Sequence, residues 1–459
     1  MNEIVSPGLF DRALRRITGA WRDMAAAVGN EEDDSIPAQM RACLSGLGGE
    51  ISARNRAAKL AEAYLALDSE ERGNFLRELA SFDSDSEAVA AAYDAVRAAA
   101  DPAARAAATA RLRRALEPPR VRLLTQFTSL PDGMKFLVDM RAFLLGVMKT
   151  DPHLIALEAD LKALLANWFD VGFLELRRID WESPAALLEK LVGYEAVHEI
   201  RGWRDLKNRL DSDRRCYAFF HPRMPLEPLI FVEVALVQGL ADSVQRLLDQ
   251  KAPVLDSRAA DTAIFYSISN CQRGLAGISF GNFLIKRVVD VLGAEFRNLR
   301  TFATLSPIPG FRRWLDGKLR ENEPGLLTEG EAAAVRALAP DLPDPAHALA
   351  AILARRGWHR GPANRALDPI LTRLCARYLL TEGRGKRAAD PVAHFHLSNG
   401  ARVERLSLLA DTSDKGLKES AGLMVNYLYD PTKIEQYHED YAGEGKRNAS
   451  TAVRRLARG

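Results

Sequence analysis

Little in this sequence points to a membrane, a nucleic acid or a disulfide framework. Its 63 Lys and Arg nearly balance 61 Asp and Glu, for a formal net charge of +2. So close a balance supplies no field for gripping nucleic acid or an anionic membrane, and neither is expected as a partner. The four cysteines (Cys43, Cys216, Cys271 and Cys375) are scattered, with no CxxC pair and no metal-ligand spacing. Buried free thiols in a reducing compartment are the expectation. No apolar run approaches the ~20 residues that a bilayer span requires. Residues Met1 to Pro7 lack the hydrophobic region of a signal peptide and are not the basic, acid-poor stretch of a transit peptide. The closing Ala457-Arg458-Gly459 is no peroxisomal address. The reading is cytoplasmic.

What remains is an ordinary globular composition, 47% apolar and 27% charged over 459 residues, enough for two to four domains. Residues 1 to about 168 read as helix nearly throughout. Asp68 with Glu71 fits a capping box, and Asp101-Pro102 and Asp151-Pro152 each fit an N-cap followed by proline. After the turn Pro131-Asp132-Gly133, the stripe Met134, Leu137, Met140, Phe143, Leu144 and Met148 has the spacing of a bundle core or subunit interface. The alanine-rich stretch from Ala88 to Ala110 favours close helix packing. No chemical motif occurs in this half, which reads as scaffold and assembly surface.

The pattern changes near Phe169. Strand-like runs appear at Phe173–Asp180, Cys216–Phe220 and Pro228–Val237, with helices at Ala185–Tyr194, Trp203–Leu210 and about 239–249. The stretch from Thr262 to Leu319 organises this half. An apolar, β-rich run (Thr262 to Ser269) leads into a turn studded with Gly274, Gly277 and Gly281, then a helical pattern from Asn282 to Leu292. A second strand, Arg300 to Leu305, delivers Ser306 into Pro307-Ile308-Pro309-Gly310, and a helix follows from Phe311 to Leu319. Glycines that let backbone approach a ligand, placed before the exposed N–H groups of a helix, favour a phosphate or an oxyanion. Residues 321–390 read as a helical insertion, with helices at Glu329–Leu338, Pro345–Arg356 and Pro369–Leu380 and a basic loop from Gly383 to Arg387. Two strands, Val392–Leu397 and Ala401–Leu408, flank the turn Ser398-Asn399-Gly400. The extreme tail is expected to fray.

The stretches "AIFYSIS", "GLAG", "FGNFLIKRVV", "LSPIPGF", "DPVAHFHLSNG", "GLMVNYLYD" and "HPRMPLEPLIFVEVAL" closely resemble malonyl-CoA decarboxylase. With the helical N-terminal region, the resemblance spans most of the chain. It implies an α+β protein, in which an all-α helical bundle used in oligomerisation (1–168) precedes a GNAT acetyltransferase-like catalytic domain (169–459). It also implies conversion of malonyl-CoA to acetyl-CoA and CO2 with no metal or organic cofactor, in a homo-oligomer, dimer or tetramer. The family's catalytic serine matches Ser306 and its catalytic histidine His396, while a site tyrosine matches Tyr429 and a site serine Ser267. Where some members carry a glutamate in the glycine loop, this chain has Ser279. The acetyltransferase pyrophosphate motif is degenerate: Gly281 can stand for its last glycine, but Ser279 and Ala276 occupy earlier positions.

Decarboxylation of a malonyl thioester leaves an enolate, so it needs donors on the thioester oxygen, control of the carboxylate and a proton for carbon. The carbonyl is its own electron sink, which is why no cofactor is called for. In a strand, His394 and His396 would share a face, with His396 as proton donor or orienter and His394 behind it. Ser306 precedes a turn that Pro307 and Pro309 would hold rigid, which suits a hydroxyl that grips the carboxylate or relays a proton; no Gly-x-Ser-x-Gly elbow marks it as a nucleophile. Asn270, Gly277, Ser279, Gly281 and Asn282 are the candidates for holding CoA. Lys286, Arg287, Arg312 and Arg313 are equally readable as phosphate contacts or solvated faces. Two other readings stand beside the lyase: a CoA-dependent acyltransferase on the same fold, and a silent acyl-CoA-binding regulator.

Overall fold

The computed structural model describes residues 19–27, 34–45, 49–278, 281–361 and 363–458, with the backbone only for 281–283 and for 363. By internal contacts the chain forms two compact units. One comprises Met1–Glu175 with Phe220–Leu229 and Cys271–Phe280; the other comprises Leu176–Phe219, Ile230–Asn270 and Gly281–Gly459.

The first unit is helical: α1 (Ile36–Leu44), α2 (Glu50–Ala66), α3 (Ser69–Ser81), α4 (Ser86–Ala98), α5 (Pro102–Ala115), α6 (Pro119–Phe127), α7 (Gly133–Val147) and α8 (Ile155–Trp168). The capping box forms: Asp68 accepts from the backbone N–H of Glu70 and Glu71, and the Glu71 carboxylate accepts from the Asp68 N–H. Asp101 caps α5, while Asp151 opens a 3₁₀ turn ahead of α8. From the stripe on α7, Met134, Leu137, Met140 and Leu144 are buried. The buried Arg141 beside them pairs with Glu158 at 2.6 Å and donates to the Gly274 carbonyl at 2.5 Å, which anchors the start of the glycine loop. Gly274 has no alternative there, because a Cβ would run into the Val138 carbonyl. The alanine-rich pair packs chiefly on itself: α4 buries no residue and α5 only Ala108.

The second unit is built on a sheet of β1 (Glu175–Ile179), β2 (Arg214–Phe220), β3 (Pro228–Val237), β4 (Thr262–Asn270), β5 (Thr301–Thr304), β6 (Ser306–Pro307), β7 (Arg402–Ser407) and β8 (Met424–Tyr429). Its order is β1-β2-β3-β4-β5-β8-β6, with β7 also paired to β8. The pair β4–β5 is parallel, whereas β3–β4, β5–β8, β6–β8 and β7–β8 are antiparallel. Helices α9 (Ala185–Tyr194), α10 (Trp203–Arg209), α11 (Val244–Leu247) and α12 (Gly281–Glu295) connect the first strands; a parallel pair needs a crossover, and α12 supplies it after the glycine loop. The α+β class is as expected. Ile264, Tyr266, Ala303, Leu305 and Met424 pack into the core on one face. By alternation, Phe265, Thr304, Ser306, Tyr427 and Tyr429 lie on the other.

Five readings need correction. Pro391–Ser398 is a helix, not a strand, because Asp390 accepts the N–H of Val392 and Ala393 at 3.0 Å and Pro391 sits at the first helical position. His394 and His396 therefore lie on different sides of that helix. The run read as a helix over 239–249 is helical only from Val244 to Leu247. The helix Ala363–Thr381 contains Pro369 in its interior and does not start at it. The strand β8 had no counterpart in the sequence reading. Finally, the tail is the helix Thr451–Arg458, pinned by the buried Val453.

Candidate active site

Strand β8 gathers the site. It pairs in one continuous register with β5 (Tyr429 opposite Phe302) and with β6 (Val425 opposite Ser306). Between these ladders, the Tyr427 N–H donates to Thr304 Oγ1 at 3.1 Å and Asn426 Nδ2 donates to the Thr304 carbonyl at 2.7 Å. Thr304, Ser306, Tyr427 and Tyr429 are thus fixed by sheet backbone, and all four are buried.

His396 arrives from the helix at 391–398. Its Nε2 lies 3.1 Å from Ser306 Oγ and its Nδ1 2.7 Å from the Tyr429 hydroxyl, while its ring stacks on Tyr427 with centroids 4.5 Å apart. Ser306 Oγ also donates to Thr304 Oγ1 at 2.8 Å. Burial pushes the His396 imidazolium down to about 3, so the ring is neutral at physiological pH. The same burial raises the Tyr427 and Tyr429 phenols well above their usual value. What results is a dry chain of neutral hydrogen-bonding groups, suited to holding or passing a proton without separating charge.

Asp390 ties together the segments that carry Ser306 and His396. One carboxylate oxygen caps the helix carrying His396, and the other accepts the Gly310 N–H, at the end of the serine turn, at 3.0 Å. Burial raises its pKa, against the lowering effect of those backbone bonds and of Tyr378. Gly310 is required by close approach, since a Cβ there would strike the Tyr378 hydroxyl.

Ser306 also stands where the sheet opens. The pairing of β4 with β5 ends at Phe265 opposite Thr304, followed by the Leu305 N–H to Phe265 carbonyl bond at 3.0 Å. The pairing of β4 with β3 continues to Asn270, so the two parallel strands part beyond Phe265. Ser267 lies in this diverging part, but the irregularity at Tyr266 sets it opposite Glu233, on the face away from Phe265, and its hydroxyl is bonded to the Glu195 carboxylate at 2.7 and 2.8 Å. Glu195 is held in turn by the N–H groups of Val197 and His198.

The structure thus joins Ser306, His396 and Tyr429 and leaves Ser267 outside that chain. Asn270 ends β4 exposed, and Gly277 is exposed with φ +75°. Gly281 starts α12, Ser279 lies outside the described residues, and so does the Asn282 side chain. His394 bonds Tyr441 at 2.8 Å instead of joining the site. Lys286 is paired with Glu435 and Arg312 with Asp316, while Arg287 and Arg313 are exposed. Thr304, Tyr427, Asp390 and Glu195 were missed. For the first two, the signal was there in the alternation with Ser306 and Tyr429; for Asp390 it was the Asp-Pro pair.

Residues 172–459 match the family of the malonyl-CoA decarboxylase C-terminal domain, and residues 82–169 that of the malonyl-CoA decarboxylase N-terminal domain. Mitochondrial malonyl-CoA decarboxylase of Rattus norvegicus is 41% identical over 334 residues, covering 70% of this chain and 67% of the relative. The crystal structure of malonyl-CoA decarboxylase from Agrobacterium vitis is 42% identical and superposes with a TM-score of 0.83, covering 92% of this chain and 99% of that one. The one from Rhodopseudomonas palustris gives 41% and 0.82 with the same coverage. With both of its domains matched and its fold shared along nearly the whole length of solved relatives, the chain belongs to the malonyl-CoA decarboxylase family.

Proposed function

We propose that this protein converts malonyl-CoA to acetyl-CoA and CO2, with Ser306, His396 and Tyr429 as the working groups. The observation that carries the reading is the buried chain Ser306–His396–Tyr429, placed where β4 and β5 part. Freed backbone groups at such an opening suit the amides of a pantetheine arm, and the N-terminus of α12 suits the CoA phosphates. The carboxylate C–C bond breaks, CO2 leaves and the electron pair stays on the α-carbon as an enolate. A thioester enolate is a strong enough base to take the Ser306 proton. Ser306 Oγ recovers a proton from His396 Nε2, Nδ1 from the Tyr429 hydroxyl, and Tyr429 from solvent, so that one solvent proton is consumed per turnover. The alternative role for Ser306, gripping the malonyl carboxylate, uses the same hydroxyl proton. Incubating the purified protein with malonyl-CoA and no acceptor should release acetyl-CoA and CO2. Binding without turnover, or turnover only with an acceptor amine, would overturn the reading.

A pH profile tests the neutral histidine. With its pKa at about 3, far below the ordinary 6.5, His396 changes charge outside the working range. From roughly pH 5 to 8, kcat should show no inflection belonging to this residue. An inflection near 6.5 that disappears in His396→Gln would show that the ring titrates during catalysis.

We also infer that the helical unit holds subunits together. Support comes from α4, which buries nothing within the chain, and from exposed Tyr93 and Leu116 on α4 and just after α5. Light scattering should give a dimer or tetramer, and Tyr93→Glu should shift it to a smaller species. A monomeric wild type would refute the assembly role.

A further inference from the structure

We infer that Thr304 is a positioning residue that selects the tautomer of His396 and parks the Ser306 proton. A neutral imidazole has one N–H and one lone pair, so the contacts of His396 with Ser306 and Tyr429 can run in either direction. Taken by themselves, the two directions satisfy all three groups equally well. Thr304 breaks the tie.

Ser306 has a single hydroxyl proton, and Oγ donates it to Thr304 Oγ1 at 2.8 Å. Thr304 Oγ1 also accepts the Tyr427 N–H at 3.1 Å, which fills both of its acceptor positions. The 3.1 Å contact between Ser306 Oγ and His396 Nε2 is then made by the ring N–H. Nδ1 is left with its lone pair, and the Tyr429 hydroxyl donates to it at 2.7 Å. The chain acquires one polarity: Tyr429 to Nδ1, Nε2 to Ser306, Ser306 to Thr304. Thr304 is itself locked by strand pairing on β5 and by the β8 backbone, so this acceptor cannot wander. On the decarboxylase reading, the polarity means that His396 is not drawing the proton off Ser306. A turn about the Ser306 Cβ–Oγ bond swings the parked proton from Thr304 to substrate while Nε2–H keeps the oxygen in place.

The test is the ¹⁵N spectrum of histidine-labelled full-length protein, with the His396 signals assigned by their loss in His396→Asn. Wild type and Thr304→Ser should show the Nε2–H tautomer, with similar kcat. Thr304→Val should populate Nδ1–H and lose roughly 10–100-fold in kcat, the worth of one strong hydrogen bond. A wild type in the Nδ1–H form overturns the inference, as does a valine variant with unchanged tautomer and kcat. Should the valine variant fail to fold, with the Tyr427 N–H left unpaired, the wild-type tautomer still decides. Absence of malonyl-CoA turnover in a wild type that shows Nε2–H would remove the decarboxylase reading and leave the tautomer assignment standing.

Discussion

Alanine at Ser306 or at His396 should lower kcat with malonyl-CoA by about 10²–10⁴ each, and alanine at both should cost little more than the worse single change. The two side chains touch at 3.1 Å in a site with almost no access to water, and each has its remaining hydrogen-bonding capacity committed elsewhere in the same chain. If one proton passes through both, removing either interrupts the same step, and groups that act as a unit are strongly non-additive. The affinity for CoA should stay near that of the wild type in all three variants, because the proposed phosphate site at the start of α12 does not involve these residues. Steady-state kinetics and calorimetry with CoA are the measurements. Multiplicative losses would assign the two residues to separate steps. A His396→Ala enzyme with normal kcat would remove the imidazole from the mechanism.

Asp390→Ala should destabilise the protein by about 2–3 kcal/mol and abolish most activity. Loss of a helix N-cap costs about 1 kcal/mol, and leaving the Gly310 N–H unpaired adds about 1–3 kcal/mol. Relief of a carboxylate that burial already disfavours offsets part of this. Asp390→Asn separates the two functions. Its oxygen can still cap Val392 and Ala393, but the amide then presents N–H to the N–H of Gly310, so the serine turn loses its tether while the histidine helix keeps its cap. Urea midpoints should fall clearly in the alanine variant and less in the asparagine one, with kcat reduced about tenfold or more in both. An asparagine variant unchanged in rate would show that the tether does not position Ser306.

Most of the elements were legible because their signals were local. The capping box at Asp68, the glycine loop before α12 and the strand limits Pro228–Val237 depend on neighbours along the chain. His396 was placed on the wrong element because Val392 to Leu397 can be read as an alternating run, whereas Asp390-Pro391 decides for helix. The same Asp-Pro signal caps the chain at Asp101 and Asp151. In Met424 to Tyr429 the alternation of Val425, Tyr427 and Tyr429 against Asn426 and Leu428 marks a face. Thr304 was beyond local reading altogether. A threonine in a strand is ordinary, and its meaning lies in two partners that come from another strand.

The continuous register of β8 against β5 and β6 also sets when the site can exist. Ser306 and Tyr429 come to lie along one face, where His396 can bridge them, only after a strand has closed across the whole stretch from Pro307 to Met424. Closure over roughly a hundred residues costs entropy before any contact repays it. Helices can therefore form early, as can the β3–β4 hairpin, while no catalytic geometry is present in the chain. During refolding, the return of activity should track the slowest step that orders the sheet, well behind the return of helical signal. Catalytic competence is in this sense the last property the protein acquires.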